Sequence, residues 1–597
     1  MFGRFAPLVR GFVASLALCV ACAAAAAADP AKVYRIAFPT AETGFDPAKV
    51  SDLYSNEVNE AIFDRLLTYD WLARPAKIVP MVAESMPEVS ADGKVYTFHL
   101  RKGVYFADDP AFKGKKRELV AQDFVYSFER IADPANRSPW AFIFEGRVVG
   151  LDEAVAAAKK SGRFDYDAPI AGLTAVDRYT LRITLTRTDY MFLYAAAHTT
   201  LCAVAREVIE AYANDTMAHP VGTGPYVLKE WVRGSRIVLE ANPGFRGFTW
   251  DFAPSTQDAD WDHKVIAEMK GKAMPQIGRV EISIMDEDQS RWLAFQQQQL
   301  DTLNVPLGFI AKGISPDGKL LPDLAAKKIE LFRGNDLDVT YSTFNFKDPV
   351  IGGYTPEKIA LRRAIIMGYR DDEERRIVRK GQMRYIAMPV PPGVVGYDPN
   401  YVAVDHYDPV LANALLDHFG YRKGADGWRT LPDGKPLVIH YATGSSAIER
   451  EFSELWKRSM DDLGLRIEFD IAKFADHLKA AKACHLMMWG AAWIADWPDA
   501  DNFMQLLYGP NTGQSNNGCY QSPAFDKLYE ASTHLPTDST ERMKLFLDMA
   551  RQMQVDGAWQ VSGSRLRNQL LWPWVLGYKK HPILQAEWVY MDMAPRS

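Results

Sequence analysis

The period of apolar residues changes several times along the chain, and each change marks an element. Val33–Phe38 alternates apolar and polar positions, the period of a half-buried strand. Asn56–Leu67 instead carries Val58, Ile62 and Leu66 at helical spacing. Ser90-Ala-Asp92-Gly93 predicts a hairpin turn, because Asp-Gly tolerates positive φ, and Val95–Leu100 is the strand after it. Ala121–Ile131 predicts a helix with Phe124, Phe128 and Ile131 inward, and Leu181–Leu185 another strand. Residues from about 69 to 204 therefore predict a compact α+β insertion. Gly222-Thr-Gly-Pro-Tyr226 opens a second unit, with strands at Tyr226–Trp231, Arg236–Glu240 and Val280–Ile284 and a helix at Arg291–Leu300. Beyond it, Asp338–Phe346 predicts a strand and Lys358–Met367 a helix. A helix over Asp408–Phe419 is capped by Asp408 with Pro409 in its first turn. Strand Leu437–Tyr441, helix Glu449–Leu463 and strand Leu465–Phe469 follow, an alternation expected of a doubly wound α/β domain.

One stretch stands out, Trp489-Gly-Ala-Ala-Trp-Ile-Ala-Asp496-Trp-Pro-Asp-Ala-Asp501-Asn502-Phe503. It predicts a buried strand whose C-terminal end opens into a loop at Pro498, the end at which open α/β sheets bind ligands. Small residues between tryptophans allow close backbone approach beside apolar wall. A lone carboxylate there suits a cationic ligand group; as a pattern alone it equally fits an acidic turn. Trp493 and Trp497 are expected to line a cleft, and Trp572 and Trp574 to support a C-terminal strand. Asp501 is expected to cap the following helix.

The composition of the 597 residues is ordinary for a globular protein, 48% hydrophobic and 24% charged. A formal net charge of −6 without a basic cluster argues against nucleic-acid binding. The N-terminus reads as an export signal: Arg4 and Arg10, an apolar Gly11–Ala28 stretch, and Ala26-Ala27-Ala28 as a cleavage site that leaves Asp29 first. Cys19-Val-Ala-Cys22 is a weak lipobox, so a soluble periplasmic form is expected ahead of a lipid anchor on Cys22. Three cysteines follow the signal, which allows one internal disulfide. Cys484 and Cys519 flank the Trp-rich stretch and are open to pairing or to remaining buried thiols.

Chemistry-bearing motifs are sparse. Gly222-Thr-Gly-Pro lacks the Lys-Ser/Thr of a phosphate loop, and Pro225 removes a donor. No His-Glu-x-x-His occurs, and Gly513-Gln-Ser-Asn-Asn-Gly518 has one residue too many for a nucleophile elbow. Asp496, Asp499 and Asp501 offer a carboxylate pair only if their separation suits hydrolysis. His477 and His485 lie near Cys484, and Met487-Met488 near both, yet ordinary core or surface roles are commoner. No cofactor is expected.

Five separated stretches resemble one family: Asp46-Pro47 with Ile62-Phe-Asp-Arg-Leu-Leu67; Ser90–Phe106; Val120–Ser127; Val221–Tyr226; and Gln521–Leu528. Together, and in this order over nearly the whole mature chain, they are similar to the family 5 extracytoplasmic solute-binding proteins of ABC importers, the oligopeptide- and dipeptide-binding group. The resemblance implies an α/β two-lobed periplasmic-binding-protein clamshell (type II, cluster C-like) with an extra α+β subdomain in the N-terminal lobe. The implied division is a signal over 1–28, lobe I over 29–68 and 205–303, the subdomain over 69–204, lobe II over 304–560 and a return to lobe I over 561–597. It implies capture of a peptide or peptide-like solute and delivery to an inner-membrane ABC permease, by a monomer that is not an enzyme. The alternatives are a non-peptide ligand (metal chelate, haem, sugar or opine-like solute) and, remotely, a secreted hydrolase. In the family's peptide binders the acidic residue of Trp-x-x-Asp pairs with the ligand ammonium; Trp493-Ile494-Ala495-Asp496 matches it, with Ile494 where some oligopeptide binders have Cys. The backbone before Asp496 is implied to pair with an extended peptide, and Ser51, Asp52 and Leu53 to form a second strip.

Overall fold

The computed structural model describes residues 28–255 and 259–596. The expected signal, but for Ala28, and Cys22 lie outside the described residues. Among the described residues no helix is long and apolar enough to cross a membrane.

Three sheets organise the chain. In the first, Asp29–Phe38 pairs in parallel with Ile277–Ile284, which pairs antiparallel with Arg236–Ala241 and through it with Tyr226–Val232. The predicted alternation shows in its burial, with Tyr34, Ile36 and Phe38 inward against Val280 and Ile282. Helix Leu53–Ile62 follows the first strand and is capped by Asp52, whose carboxylate accepts from the Ser55 N–H at 2.9 Å. The second sheet lies in the insertion and joins Glu88–Val89, Val95–His99, Thr180–Thr184 and Leu173–Asp177 antiparallel. Helix Ala121–Ala132 covers it, with Phe124, Phe128 and Ile131 buried as the spacing predicted.

The third sheet is the largest, and it differs from the doubly wound expectation. Val438–Thr443 is parallel to Arg466–Ile471, across helix Ala447–Leu463, and to the start of Met488–Ile494. Its centre is antiparallel: Asp338–Phe344 runs against both Met488–Ile494 and Trp559–Leu571. Trp559–Leu571 is long enough to pair twice. Its first half meets Asp338–Phe344, and its second half meets Glu330–Asn335 and Thr302–Asn304. This 13-residue strand runs from the third sheet toward the first, and after it the chain stays with the first sheet. There Lys32 and Lys272 both pair with Asp592 at 2.6 Å, and Trp572 and Trp574 stack at 5.0 Å and donate to Phe295 O and Asp301.

Candidate functional site

The strand Met488–Ile494 is flanked by Asp338–Phe344 along its whole length but by Val438–Thr443 only at Met488 and Trp489. The same ladder continues through the Ala495 N–H to Leu337 O bond at 2.8 Å. By the alternation of antiparallel pairing, the N–H and C=O groups of Gly490, Ala492 and Ile494 point away from that neighbour. They face an edge that no strand covers among the described residues. At this edge lies a cavity of about 300 Å³, walled by Trp489, Ala491, Trp493, Ile494, Ala495 and Asp496 on one side and by Ser51, Asp52 and Leu53 on the other. Two segments separated by more than 400 positions are thus brought face to face.

Asp496 is held from several directions. Its Oδ2 accepts from Asn502 Nδ2 at 2.9 Å, and Asn502 Oδ1 accepts in return from the Asp496 N–H at 2.8 Å and from Trp493 Nε1 at 3.1 Å. Its Oδ1 faces His198 Nε2 at 3.3 Å. His198 Nδ1 accepts from the Thr200 N–H, which in the neutral ring leaves the proton on Nε2, donating toward Asp496. Trp140 lies 4.4 Å from the His198 ring and donates to Val50 O at 2.7 Å, tying this corner to the Ser51 segment. Behind the loop, Asp499 makes a bidentate pair with Arg542 at 2.7 and 2.8 Å, both side chains about 1% exposed.

The other end of the cavity is built differently. Lys482, the last residue of helix Phe474–Lys482, donates to Ser51 Oγ at 2.8 Å. No carboxylate lies within 4 Å of its ammonium among the described residues. Burial pushes its pKa down to about 8, with Asp52 opposing the fall from a distance. The Asp52 oxygens are occupied by Ser55 and Thr43. The wall continues through Gln514, Ser515 and Asn517, and Asn517 Oδ1 is buried without a partner. A disulfide between Cys484 and Cys519 fastens this loop to the end of the Lys482 helix. The two cysteines left open by the sequence are therefore paired.

Seven of the eight residues singled out from the sequence line the cavity: Ser51, Asp52, Leu53, Trp493, Ile494, Ala495 and Asp496. Trp497 is 3% exposed and stands behind Asp496, with His198 at its edge 6.3 Å away; it does not line the cavity. Asp501 is buried at the start of helix Asp501–Met504, and it is Asp499 whose carboxylate accepts from the Asp501 N–H. Burial raises the Asp501 pKa, and Arg147 opposes it. His477 Nε2 donates to Thr443 O, Cys484 is bridged and Met488 is core, which disperses the cluster of soft ligands noted in the sequence. His198, Trp140 and Lys482 carried no local sequence signal, and Asn502 was visible only as part of a motif.

Comparison with known proteins agrees with this architecture. The family described as bacterial extracellular solute-binding proteins, family 5 Middle, matches residues 77–515. The periplasmic oligopeptide-binding protein OppA of Salmonella typhimurium is 25% identical over 89% of this chain and 87% of its own length. Heme-binding protein A of Haemophilus influenzae is 26% identical over 91% of this chain and 89% of its own. Among solved structures, the periplasmic binding protein DppA of Helicobacter pylori in complex with peptide STSA superposes with a TM-score of 0.75 over 94% of this chain and 98% of its own, at 22% identity. The two-lobed α/β fold and the matched region lead to one conclusion: the chain belongs to the bacterial extracellular solute-binding proteins of family 5.

Proposed function

We propose that this protein is the periplasmic substrate-binding component of an ABC importer and that its ligand is a short peptide with free ends, held between the lobes and passed to a membrane permease. The observation that carries the reading is the cavity itself: an uncovered strand edge at Gly490–Ile494 with a carboxylate, Asp496, at one end and an under-paired ammonium, Lys482, in the wall. An extended peptide completes a strand edge through its main chain, and its two termini supply the opposite charges. Ile494 and Ala495 then act through backbone and contact, Trp493 through apolar wall, and Ser51, Asp52 and Leu53 through the facing strip. The likeness to peptide binders supports this reading, and the division of the chain into lobes as drawn from the sequence is part of the same proposal.

Catalysis is not part of the proposal. Of the three carboxylates in the loop, Asp499 is committed to Arg542 and Asp501 is buried behind it, so neither stands beside Asp496 as a second working acid. Export, a monomeric state and a lipid-free N-terminus belong to the same proposal.

Native mass spectrometry of the purified protein tests it, followed by calorimetry with the peptides released. A co-purifying peptide, and binding that needs its free amine, are the expected results. A Soret band or stoichiometric metal in place of peptide would transfer the protein to the non-peptide binders.

A further inference from the structure

The cleft between the lobes contains a second space. A crevice of about 630 Å³ lies between the insertion, at Phe142, Arg147 and Lys159, and the segment carrying Tyr508 and Tyr529. Gln514 borders both this crevice and the cavity of about 300 Å³. Its Oε1 accepts from the Phe142 backbone N–H at 2.9 Å, across 372 positions of sequence. One side chain therefore reaches across to Phe142 and stands between the two spaces.

The loop that carries Gln514 is braced. The Cys484–Cys519 bridge ties its far end to the Lys482 helix. Inside it, Asn511 donates to Gln505 O and Oε1, Ser515 donates to the same Gln505 amide, and the Asn516 N–H returns to Asn511 O. Lys482 stands beside it: its carbonyl oxygen lies 3.7 Å from where a Cβ on Gly513 would sit. The Gln514 loop packs on the backbone of Lys482, and both side chains line the smaller cavity.

We propose that Gln514 sets the upper length of the ligand. The inference rests on the peptide reading above. A ligand that ends at Lys482 fits the smaller cavity. One residue more adds about 3.3 Å of extended chain, which has to pass the Gln514–Phe142 bridge. Passage breaks that bond and strands a backbone N–H, so affinity should fall about ten-fold or more. With the bridge removed, the larger crevice is open to the tail.

The test compares three forms of one binding peptide by calorimetry: the parent, its C-terminal amide, and the parent extended by one to three glycines. The amide already lacks the carboxylate at Lys482, so it isolates that loss from obstruction. On the wild type the glycine-tailed peptides should bind about ten-fold or more weaker than the amide. On Gln514→Ala, or Gln514→Ser should the first not melt cooperatively, they should match the amide within about three-fold. Gln514→Glu keeps an oxygen for the Phe142 N–H and should keep the wild-type limit. Tailed peptides that bind the wild type as well as the amide does would overturn the proposal. So would a limit that persists in a folded opening variant. If no peptide of any form binds the wild type, the peptide reading is what fails, and the length limit falls with it.

Discussion

The two ends of the cavity solve opposite electrostatic problems in opposite ways. At one end Asp496 has each oxygen facing a protein donor, Asn502 or His198, and its loop is anchored by the Asp499–Arg542 pair. At the other, Lys482 has a single neutral partner, Ser51, and burial has moved its pKa most of the way toward neutrality. A carboxylate fixed in this way keeps its position with or without ligand. An ammonium left short of partners gains them when an anion arrives. On the peptide reading proposed above, the two charges do different work: Asp496 positions the ligand, and Lys482 rewards one that reaches it.

The largest expected effect breaks the first half of that contrast. A desolvated ligand ammonium left without its carboxylate costs roughly 3–5 kcal/mol. Asp496→Ala should therefore weaken a free-amine peptide by about two to three and a half decades, read by calorimetry, with the ligand-free protein still melting cooperatively. N-acetylation of the peptide should cost the wild type a similar amount and the variant little, because both changes remove the same pair. Equal binding of free and acetylated peptide by the wild type would remove Asp496 from the site. Asp501 is a poor control for this experiment, since it is buried beside Arg147 and its removal disturbs the support of the loop.

Lys482→Met addresses the other end. A hydrogen bond to a charged group contributes about 1.5–3 kcal/mol, so the variant should lose about ten- to hundred-fold for a free carboxylate and almost nothing for the amide. Equal losses for the two peptides would mean that Lys482 supports the wall without meeting the ligand.

Asn502→Ala leaves the Asp496 carboxylate in place but frees it to move. A loss of about ten-fold is expected for the free-amine peptide, with a smaller ratio between free and acetylated forms than in the wild type. An unchanged ratio would show that His198 alone holds Asp496 in position.

The smallest effect is the dependence on pH. An anion beside Lys482 raises its pKa from about 8 toward the ordinary lysine range. Below about pH 8 the ammonium is charged with or without ligand, and affinity is level. Above it, binding takes up a proton, so affinity falls as pH rises. Calorimetry at pH 8.5 in buffers of different ionisation enthalpy should report more proton uptake by the wild type than by Lys482→Met, in which only the peptide amine takes up a proton. Equal uptake by the two would show that Lys482 is solvated before the ligand arrives.

How much of this was legible beforehand depended on range. Helix Pro409–His418, with Asp408 accepting from the Leu411 N–H, and helix Ala121–Ala132, with its phenylalanines inward, followed from capping and period within a dozen residues. Strand Met488–Ile494 followed from its apolar run, and its loop from Pro498. Local rules reach that far because caps, turns and amphipathic faces are made by neighbours in sequence.

Other features were decided by segments meeting across hundreds of positions. Trp497 looked like cleft wall beside Trp493, but the turn after Asp496 rotates it into the core behind His198. Asp501 looked like a cap, but its side chain is buried and it is Asp499 that accepts from the Asp501 N–H. The third sheet looked doubly wound, and its centre is antiparallel, where Asp338–Phe344 runs against both Met488–Ile494 and Trp559–Leu571. By itself, then, the chain determined its elements, the strand and carboxylate that line the cavity, and membership of a family whose motifs are local. Only the tertiary structure decided that His198 faces Asp496, that Lys482 is desolvated beside Ser51, and that Gln514 reaches Phe142. Those facts are relations of burial and distance between remote segments, and neither quantity is encoded in residue type or spacing.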